Sequence, residues 1–314
     1  MNILLLLNRE LFYKEKKIIE NLLFFKGIHI DTIENKNNSI KYDKIYSNYL
    51  EKTIKYKSII QIIKDILFTK KNLKEKLLFL QNIFKNIKCI IISSGPTSQK
   101  IHFQKLKELQ NIYIIISVKY VIQNLIDNYI FPDIAFFSNF TNDENFNLMN
   151  ANKNYNINNI LTFGVYKTKL ELKAKNLLDI NCIHRGLKHS EVYTNIQKNK
   201  NFDIIRFDLN KIKNDKLLFN LAHVMLELVI PFSEFSSMNE IYTIGWDGPD
   251  KNGNYKNLNC NDLNFNEILK CEKNKQTGYS YNEYIYISYV KQMFENENLK
   301  VYKCCKESPI ELEC

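Results

Sequence analysis

Residues 88–98 read KCIIISSGPTS, and this stretch governs how the rest of the sequence is interpreted. Its run of β-branched and apolar residues at positions 89–92 is typical of a fully buried strand. The Gly-Pro pair that follows favours a tight turn, because glycine tolerates positive φ and proline presets its own φ. We expect Thr97 or Ser98 to cap the next helix. The stretch therefore predicts a helix N-terminus whose free N–H groups can bind an anion, phosphate being the usual one.

Beyond this stretch, short apolar runs alternate with helical patterns. The predicted strands are 112–117, 134–138, 160–164, 181–184, 203–207, 240–245 and 299–304. The first predicted helix includes Ile101, Leu106 and Leu109. The others are a short helix at 120–126 and longer ones at 168–178, 217–230 and about 281–296. Pro231 is expected to end the helix at 217–230. This alternation predicts an α/β fold with a doubly wound, mostly parallel, Rossmann-like sheet.

Ligands of such sheets bind beyond the carboxyl ends of the strands. Two loops fall there, residues 94–98 and residues 245–253, and we expect them to converge on a small molecule. The ordinary alternative for the first loop is a plain turn between a strand and a helix. The full Gly-x-Gly-x-x-Gly fingerprint of dinucleotide sites is absent from it.

Residues 1–85 are predicted to form an N-terminal α/β extension ahead of a main domain at 86–314. The extension opens with a strand at 2–7, a helix at 13–25 and a strand at 28–33, whereas residues 40–49 are ambiguous. Two lysine-rich amphipathic helices follow between Ile54 and Ile87. These helices can lie on an anionic membrane surface, or they can pack on a core with their lysines in solvent.

Composition limits the partners and the compartment. The net charge is +10, but only three of the 44 basic residues are arginines, and no nucleic-acid motif is recognisable, so we expect no nucleic-acid partner. Seven cysteines without CxxC spacing, together with the lack of a signal peptide, favour a reducing cytosol. The longest apolar runs fall far short of the ~18 residues that a membrane span needs. The expectation is a cytoplasmic protein, soluble or peripheral to the membrane.

Four motifs follow one another in a recognisable order: SGPTS at 94–98, FFSN at 136–139, NEIYTIGWDG at 239–248 and LKVYKCCKESPIE at 299–311. In this order they resemble the bacterial sialyltransferases that build lipooligosaccharide and the related motility-accessory-factor glycosyltransferases. The resemblance covers about residues 86–312. It implies a single-domain glycosyltransferase variant of the Rossmann-like fold.

The resemblance further implies a metal-independent transferase without a cofactor. Its donor would be a CMP-activated nonulosonic (sialic-type) acid, and its acceptor a cell-surface glycan or glycolipid. The donor-binding residues that the resemblance implies are Ser94, Gly95, Pro96, Thr97, Ser98, Ser138, Asn139, Asn220, Gly245 and Asp247. The ordinary alternative for Asp247 is that it is a turn residue in its Asp-Gly-Pro sequence.

The general base is where this sequence departs from the family. The sialyltransferases carry a histidine just ahead of the last helix, where this chain has a tyrosine-rich segment that includes Tyr281. A tyrosine is a poor base near neutral pH but can donate a hydrogen bond to a leaving phosphate. His184 and His189 lie where the family has its lid over the acceptor, and they are the candidate bases. His102 and His223 are interpreted as core or helix-edge residues.

Two further functions stay open. A pterin diphosphokinase group shares the strand-GPS turn, and its chemistry would need Mg²⁺ on carboxylates, for which Asp247 and Asp250 are available. The second is a catalytically inactive, nucleotide-sugar-binding scaffold of polysaccharide assembly, since the family's histidine is missing. The sequence does not fix the oligomeric state, and a homo-oligomer is compatible with it.

Overall fold

The structure is a computed structural model. It describes residues 3–6, 12–25, 28–31, 44–47, 59–118, 121–137, 160–167, 180–184, 207–213, 215–219, 224–247, 287, 291 and 299–306. The predicted helix at 168–178, most of the predicted strand at 203–207 and most of the predicted helix at 281–296 lie outside these residues.

The N-terminal residues form a small parallel sheet with one helix. Strand β1 (Ile3–Leu6) leads into helix α1 (Tyr13–Leu23), which is followed by β2 (Ile28–Asp31) and β3 (Lys44–Ser47). The strands pair in the order β2-β1-β3, all parallel. The predicted strands and helix of this region are confirmed, and the ambiguous segment at 40–49 contains the third strand.

Helices α2 (Ile59–Leu67) and α3 (Leu73–Ile83) follow, and α2 is a core helix. Seven of its nine residues are buried, including Lys64, whose Nζ donates a hydrogen bond of 2.8 Å to the carbonyl of Ile160. Core packing is therefore confirmed for α2, but the expectation that its lysine lies in solvent is wrong. Helix α3 buries one apolar face, whereas its Lys74 is exposed and its Lys76 half-buried. No helix of the described residues has the length and apolar character needed to cross a bilayer.

The described strands of the main sheet are, in chain order, β4 (Cys89–Ile92), β5 (Ile114–Val118), β6 (Ile134–Phe137), β7 (Leu161–Lys167), β8 (Ile180–His184), β9 (Ile212–Lys213), β10 (Lys216–Phe219), β11 (Glu240–Ile244) and β12 (Lys300–Lys303). In space they run β12-β11-β4-β5-β6-β7-β8-β10-β9. Every pair is parallel except β9 with β10. The predicted α/β fold with a mostly parallel sheet is confirmed.

The sheet is apolar on both faces because helices cover both. On one face, Cys89 and Ile91 of β4 belong to a cluster that also holds the buried side chains of α1, α2 and α3. On the other face, Ile90 and Ile92 pack with α4 (Phe103–Leu109) and α5 (Val121–Asp127). Burial raises the pKa of the Cys89 thiol to about 12, which suits its predicted role as a small hydrophobe. The helices before residue 86 thus share a core with the main sheet, and the domain boundary at 85 stays a prediction.

The predicted helix at 217–230 is wrong at both ends. Residues 216–219 form strand β10, in which Leu217 pairs with Cys182 of β8. A short apolar run does not distinguish a buried strand from a buried helix, and the neighbouring strand decides the outcome. The chain then forms a π-helical turn, Met225–Val229, and helix α6 (Ile230–Phe235). Pro231 lies in the first turn of α6, where its missing N–H is tolerated, so it does not end the helix.

A buried ion pair attaches α1 to the amino edge of the main sheet. The Nζ of Lys14 lies 2.9 Å and 2.6 Å from the two carboxylate oxygens of Asp133, just before β6. The same carboxylate accepts the N–H of Ile115 at 2.9 Å. Both charged side chains are about nine-tenths buried. Because charges so far from water need full pairing, this contact fixes where α1 sits.

Candidate functional site

The order of the strands brings the two predicted loops together. From β4 the chain proceeds strand by strand to β10 on one side, and then returns to place β11 on the other side of β4. The direction of winding therefore reverses between β4 and β11, which is the place where open α/β sheets bind ligands. The residues that follow these two strands, 93–98 and 245–247, lie side by side at the carboxyl edge.

The backbones at Gly95 and Gly245 are in close contact at this point. The N–H of Gly95 donates a hydrogen bond of 2.9 Å to the carbonyl of Gly245, and the N–H of Ser93 donates one of 2.8 Å to the carbonyl of Ile244. A Cβ on Gly95 would lie 2.3 Å from the oxygen of Gly245, and a Cβ on Gly245 would lie 2.1 Å from the oxygen of Ser93. Gly245 also has φ of 70°. The two backbones therefore approach so closely that neither position has room for a side chain.

Asp247 joins the two loops. Its Oδ2 accepts the N–H of Thr97 at 2.5 Å, and its Oδ1 accepts the hydroxyl of Thr97 at 2.6 Å. Thr97 is 1% exposed, whereas Asp247 is half-buried, so one end of the contact is dry and the other is partly open to solvent. Hydrogen bonds to a carboxylate are stronger than those between neutral groups. This pair is therefore the strongest polar connection between the loops that the structure describes.

The segment after the turn differs from its prediction. Residues Pro96–Lys100 form a 3-10 helix with Gly95 in the N-cap position, so neither Thr97 nor Ser98 is a cap. The backbone leaves this helix at Ile101, and α4 begins separately, capped by the Nδ1 of His102, which accepts the N–H of Lys105 at 3.3 Å. The helix-edge interpretation of His102 is confirmed.

The predicted anion site is filled by the protein itself. The N–H groups of Gly95 and Thr97 are bonded to Gly245 and Asp247, and that of Ser98 donates to the carbonyl of Gly95. Proline at position 96 has no N–H to offer. A carboxylate therefore occupies the place where the sequence predicted a phosphate, and the expectation of free N–H groups at these four positions is wrong.

The carboxylate of Asp247 can act as a hydrogen-bond acceptor for a ligand. Each carboxylate oxygen of Asp247 has a lone pair left after bonding Thr97. Its partly exposed side can accept hydrogen bonds from hydroxyl or amino groups, such as those of a nucleoside. Trp246, which precedes it, is 7% exposed and belongs to the main hydrophobic core. We found no signal in the sequence for the contact with Thr97, because 150 residues separate the two positions.

Of the predicted site residues, the structure brings together Ser94, Gly95, Pro96, Thr97, Ser98, Gly245 and Asp247. Ser94 is 6% exposed. His184 is the last residue of β8, on the same carboxyl edge but four strand spacings from β4, roughly 19 Å. The remaining candidates lie outside the described residues: Ser138, Asn139, His189, Asn220 and Tyr281, together with His223 and Asp250.

The described residues contain no candidate metal site. Within the described ranges, no three His, Cys, Asp or Glu side chains lie close enough together to hold a metal ion. The ranges do not include residues 248–286, where Asp250 lies. The metal independence of the reaction therefore stays a prediction.

Comparison with known proteins finds a matching family and several similar solved structures, two of which are described here. The profile of the family described as 6-hydroxymethylpterin diphosphokinase MptE-like matches residues 66–248, more than half of the chain, and this span includes β4 and Asp247. The sialyltransferase CstII from Campylobacter jejuni, solved with the substrate analogue CMP-3FNeuAc, is 16% identical, with 72% of this chain and 86% of that one covered and a TM-score of 0.37.

The second solved structure is the MAf glycosyltransferase from Magnetospirillum magneticum AMB-1. It is 9% identical, with 76% of this chain and 40% of that one covered and a TM-score of 0.33. A sialyltransferase and a MAf glycosyltransferase are the kinds of protein that the four sequence motifs resemble. No curated protein matches the sequence.

Proposed function

This chain belongs to the family of 6-hydroxymethylpterin diphosphokinase MptE-like proteins, and we propose that it binds the nucleotide part of an activated donor between β4 and β11. The observation that carries this proposal is the carboxylate of Asp247, held by Thr97 at the reversal point of the sheet. A fixed acceptor at such a crevice suits the hydroxyl groups of a ribose. The donor phosphate then lies beyond the turn, since the N–H groups of the turn are already bonded.

The reaction we propose is transfer of a nonulosonic acid from a CMP-linked donor to a cell-surface glycan. The support comes from the four motifs: the first follows strand β4, the second overlaps the end of β6, and the third and fourth contain β11 and β12. These strands are parallel and end at one edge of the sheet. The motifs that resemble the sialyltransferases are thus carried by strands of a single sheet. The donor-site roles of Ser138, Asn139 and Asn220 are part of this proposal.

The transfer itself exchanges one bond for another. The acceptor hydroxyl oxygen forms a bond to the anomeric carbon of the sugar while the bond from that carbon to the phosphate oxygen breaks, and CMP leaves with the bonding electrons. The hydroxyl proton passes to a general base, for which His189 and His184 are the candidates. Tyr281 can donate a hydrogen bond to the leaving phosphate. No metal ion or cofactor enters this scheme.

A second candidate is a diphosphokinase, which the printed description of the family favours. In that reaction a pterin hydroxyl oxygen attacks the β-phosphorus of ATP, a diphosphoryl group is transferred and AMP leaves. Such transfers require Mg²⁺ held by carboxylates. Asp247 and Asp250 are the residues that would hold it. A third candidate is a scaffold that binds the nucleotide sugar without turning it over.

Thermal unfolding against a nucleotide panel separates these candidates. The panel is CMP, CDP, UDP, GDP and ATP, each with and without Mg²⁺, and ATP with Mg²⁺ is repeated with 6-hydroxymethylpterin. A ligand at 100 times its dissociation constant adds ~2.7 kcal/mol to the free energy of unfolding. We expect CMP to raise the midpoint without metal, and Asp247→Asn to weaken that effect while preserving hydrogen bonds to Thr97. Asp127→Asn, at an exposed position of α5, is the matched control.

Each result selects one candidate. Stabilisation by CMP, followed by transfer of the sugar from CMP-linked donors, supports the glycosyltransferase, and loss of transfer in His189→Ala would identify its base. Binding of CMP without transfer supports the scaffold. A response confined to ATP and pterin with Mg²⁺ supports the diphosphokinase. If no nucleotide shifts the midpoint, the proposed donor site is wrong.

The proposal extends to the surroundings of the protein. A cytoplasmic location gives access to a nucleotide-activated donor, and a glycolipid acceptor would bring the protein to the inner face of the cytoplasmic membrane as a peripheral protein. Association into a homo-oligomer is compatible with this arrangement.

A further inference from the structure

Aromatic side chains protrude into solvent at the ends of two helices. Phe24, directly after α1, is 88% exposed, and Leu23 before it is 51% exposed. Phe68, directly after α2, is 63% exposed. A phenylalanine ring left in water does not gain the free energy of burial. In the described part of the chain no other phenylalanine is as exposed as Phe24 and Phe68.

Contacts between the helix ends hold these residues in one region. The ring of Phe25 packs edge-on against that of Phe79 of α3, with centroids 5.0 Å apart. The Nζ of Lys70, two residues after Phe68, lies 5.9 Å from the first ring and 5.2 Å from the second. The end of α1 and the turn between α2 and α3 therefore meet at Lys70. We call the residues around this meeting point that are exposed or half-buried the phenylalanine tip: Leu23, Phe24, Phe68, Lys70, Lys71 and Lys74.

The charge of the tip is positive. Lys71 and Lys74 are exposed and Lys70 is half-buried. The acidic residue within the α2–α3 turn region is Glu75. Its carboxylate accepts the N–H of Lys71 at 3.0 Å, just before α3 begins. Asp65, on α2, is half-buried and accepts a hydrogen bond from Gln61. Lys70, Lys71 and Lys74 thus follow Phe68 closely along the chain, whereas the carboxylates of this region, those of Asp65, Glu75 and Asp215, each accept a local hydrogen bond.

The tip lies at the edge of the main sheet opposite to Asp247. Lys64 of α2 bonds the carbonyl of Ile160, which directly precedes β7, and the N–H of Leu73 at the start of α3 bonds the carboxylate of Asp215, which directly precedes β10. Both anchoring points are at the amino ends of parallel strands. The turn that joins α2 to α3 therefore lies beneath the amino edge, whereas the loops of the candidate site lie at the carboxyl edge.

We propose that the phenylalanine tip docks the protein on the surface of an anionic lipid bilayer. Protruding aromatic rings enter the interface between headgroups and acyl chains, and lysines next to them are attracted by acidic headgroups. The rings stand on separate helix ends with lysines beside them, which fits a deformable, negatively charged surface. This inference does not rest on the proposed function, because it uses none of the residues of the candidate site.

Co-sedimentation of the full chain with vesicles tests the proposal. One set of vesicles contains phosphatidylglycerol and phosphatidylcholine, and the other contains phosphatidylcholine alone. We expect binding to the anionic vesicles, weakened at least about tenfold in the double variant Phe24→Ser/Phe68→Ser. The triple variant Lys70→Gln/Lys71→Gln/Lys74→Gln should also bind more weakly, and added salt should reduce the binding of the parent chain. Tyr129→Ser, at a position 60% exposed, is the matched control and should bind as the parent does.

Thermal unfolding of each variant, with size-exclusion chromatography, accompanies the assay. The substituted side chains are mostly exposed, so folding should be retained and the vesicle result interpretable. The proposal is overturned if the parent does not bind anionic vesicles, or if the tip variants bind as well as the parent. It is also overturned if the tip variants change the oligomeric state of the protein while vesicle binding is unaltered, because the tip would then be a contact between copies.

Discussion

Asp247 and Thr97, 150 positions apart in the sequence, are joined by two hydrogen bonds of 2.5 Å and 2.6 Å at the point where the sheet reverses its winding. The threonine side of the contact is buried and the carboxylate side is partly open. The contact closes the turn after β4 and at the same time presents a negatively charged acceptor to the crevice. The side chain that closes the turn is thus also the one to which we assign a role in recognition, and substitutions can separate the two roles.

Substitution of Asp247 by alanine should destabilise the protein by about 1–3 kcal/mol, because the N–H and hydroxyl of buried Thr97 lose their acceptors. Asp247→Asn should cost less, since an amide can still pair with both groups. A double-mutant cycle with Thr97→Val, followed by urea unfolding, measures the coupling. We expect a coupling energy of about 1 kcal/mol or more. Additive effects of the two substitutions would show that the contact is not formed in solution.

Gly95→Ala should destabilise the protein by about 3 kcal/mol, because its Cβ would meet the carbonyl oxygen of Gly245 at 2.3 Å and the Oδ2 of Asp247 at 2.8 Å. Gly245→Ala adds the strain of a positive φ to a similar collision. We expect the second variant to be the less stable one in thermal unfolding. Ser98→Ala, in the same segment, is the control. Wild-type stability of either glycine variant would contradict the close crossing of the two loops.

For the buried pair of Lys14 and Asp133 we expect the double variant to be more stable than either single variant. Lys14→Met and Asp133→Asn should each cost about 3–5 kcal/mol, because each leaves a buried charge without its partner. The double variant leaves no such charge, and its asparagine can still accept the N–H of Ile115, so it should be more stable than either single variant. Denaturant unfolding of the four proteins provides the measurement. A double variant less stable than both singles would refute the assignment.

The partly exposed ion pair of Lys88 and Glu240 should make the stability of the protein depend on pH. The hydrogen bond from Lys88 to Glu240, 2.8 Å long, holds the pKa of that carboxyl below its ordinary value, opposed by partial burial. A lowered folded-state pKa stabilises the protein above the unfolded value of about 4.3, and this contribution is lost as the pH falls through the folded value. We expect the parent chain to exceed Glu240→Gln by about 0.5–1 kcal/mol at pH 7 and by less at pH 3. A difference in unfolding free energy that is equal at both pH values would contradict this.

The main sheet could be predicted because its strands are short runs of isoleucine and phenylalanine between turn residues. Strands β4, β5 and β6 each begin and end within two residues of their predicted bounds. The convergence of the two loops also followed from the sequence, since parallel strands that alternate with helices end at one edge. In both cases local patterns and chain topology were sufficient.

The errors arose where distant residues decide the outcome. Leu217 lies in a strand because β8 offers it a partner, and nothing in the local sequence specifies that partner. The anion site at the turn is filled because Asp247 arrives from a distant segment, so the local prediction of free N–H groups was wrong. The roles of His189 and Tyr281 stay predictions, because neither lies in the described part of the chain.

The position of β11 next to β4 has a consequence for the order of synthesis. Strands β5 to β10 all leave the ribosome before β11, so one edge of β4 waits unpaired while most of the chain is made. Unpaired strand edges are prone to association with other chains, and contacts between distant positions form slowly. A nascent chain that stops short of residue 240 therefore has an open edge at β4 and no contact between Thr97 and Asp247. The two loops can meet only after strands β5 to β10 have been translated, so the proposed binding of a nucleotide donor would be a late event in the maturation of the protein.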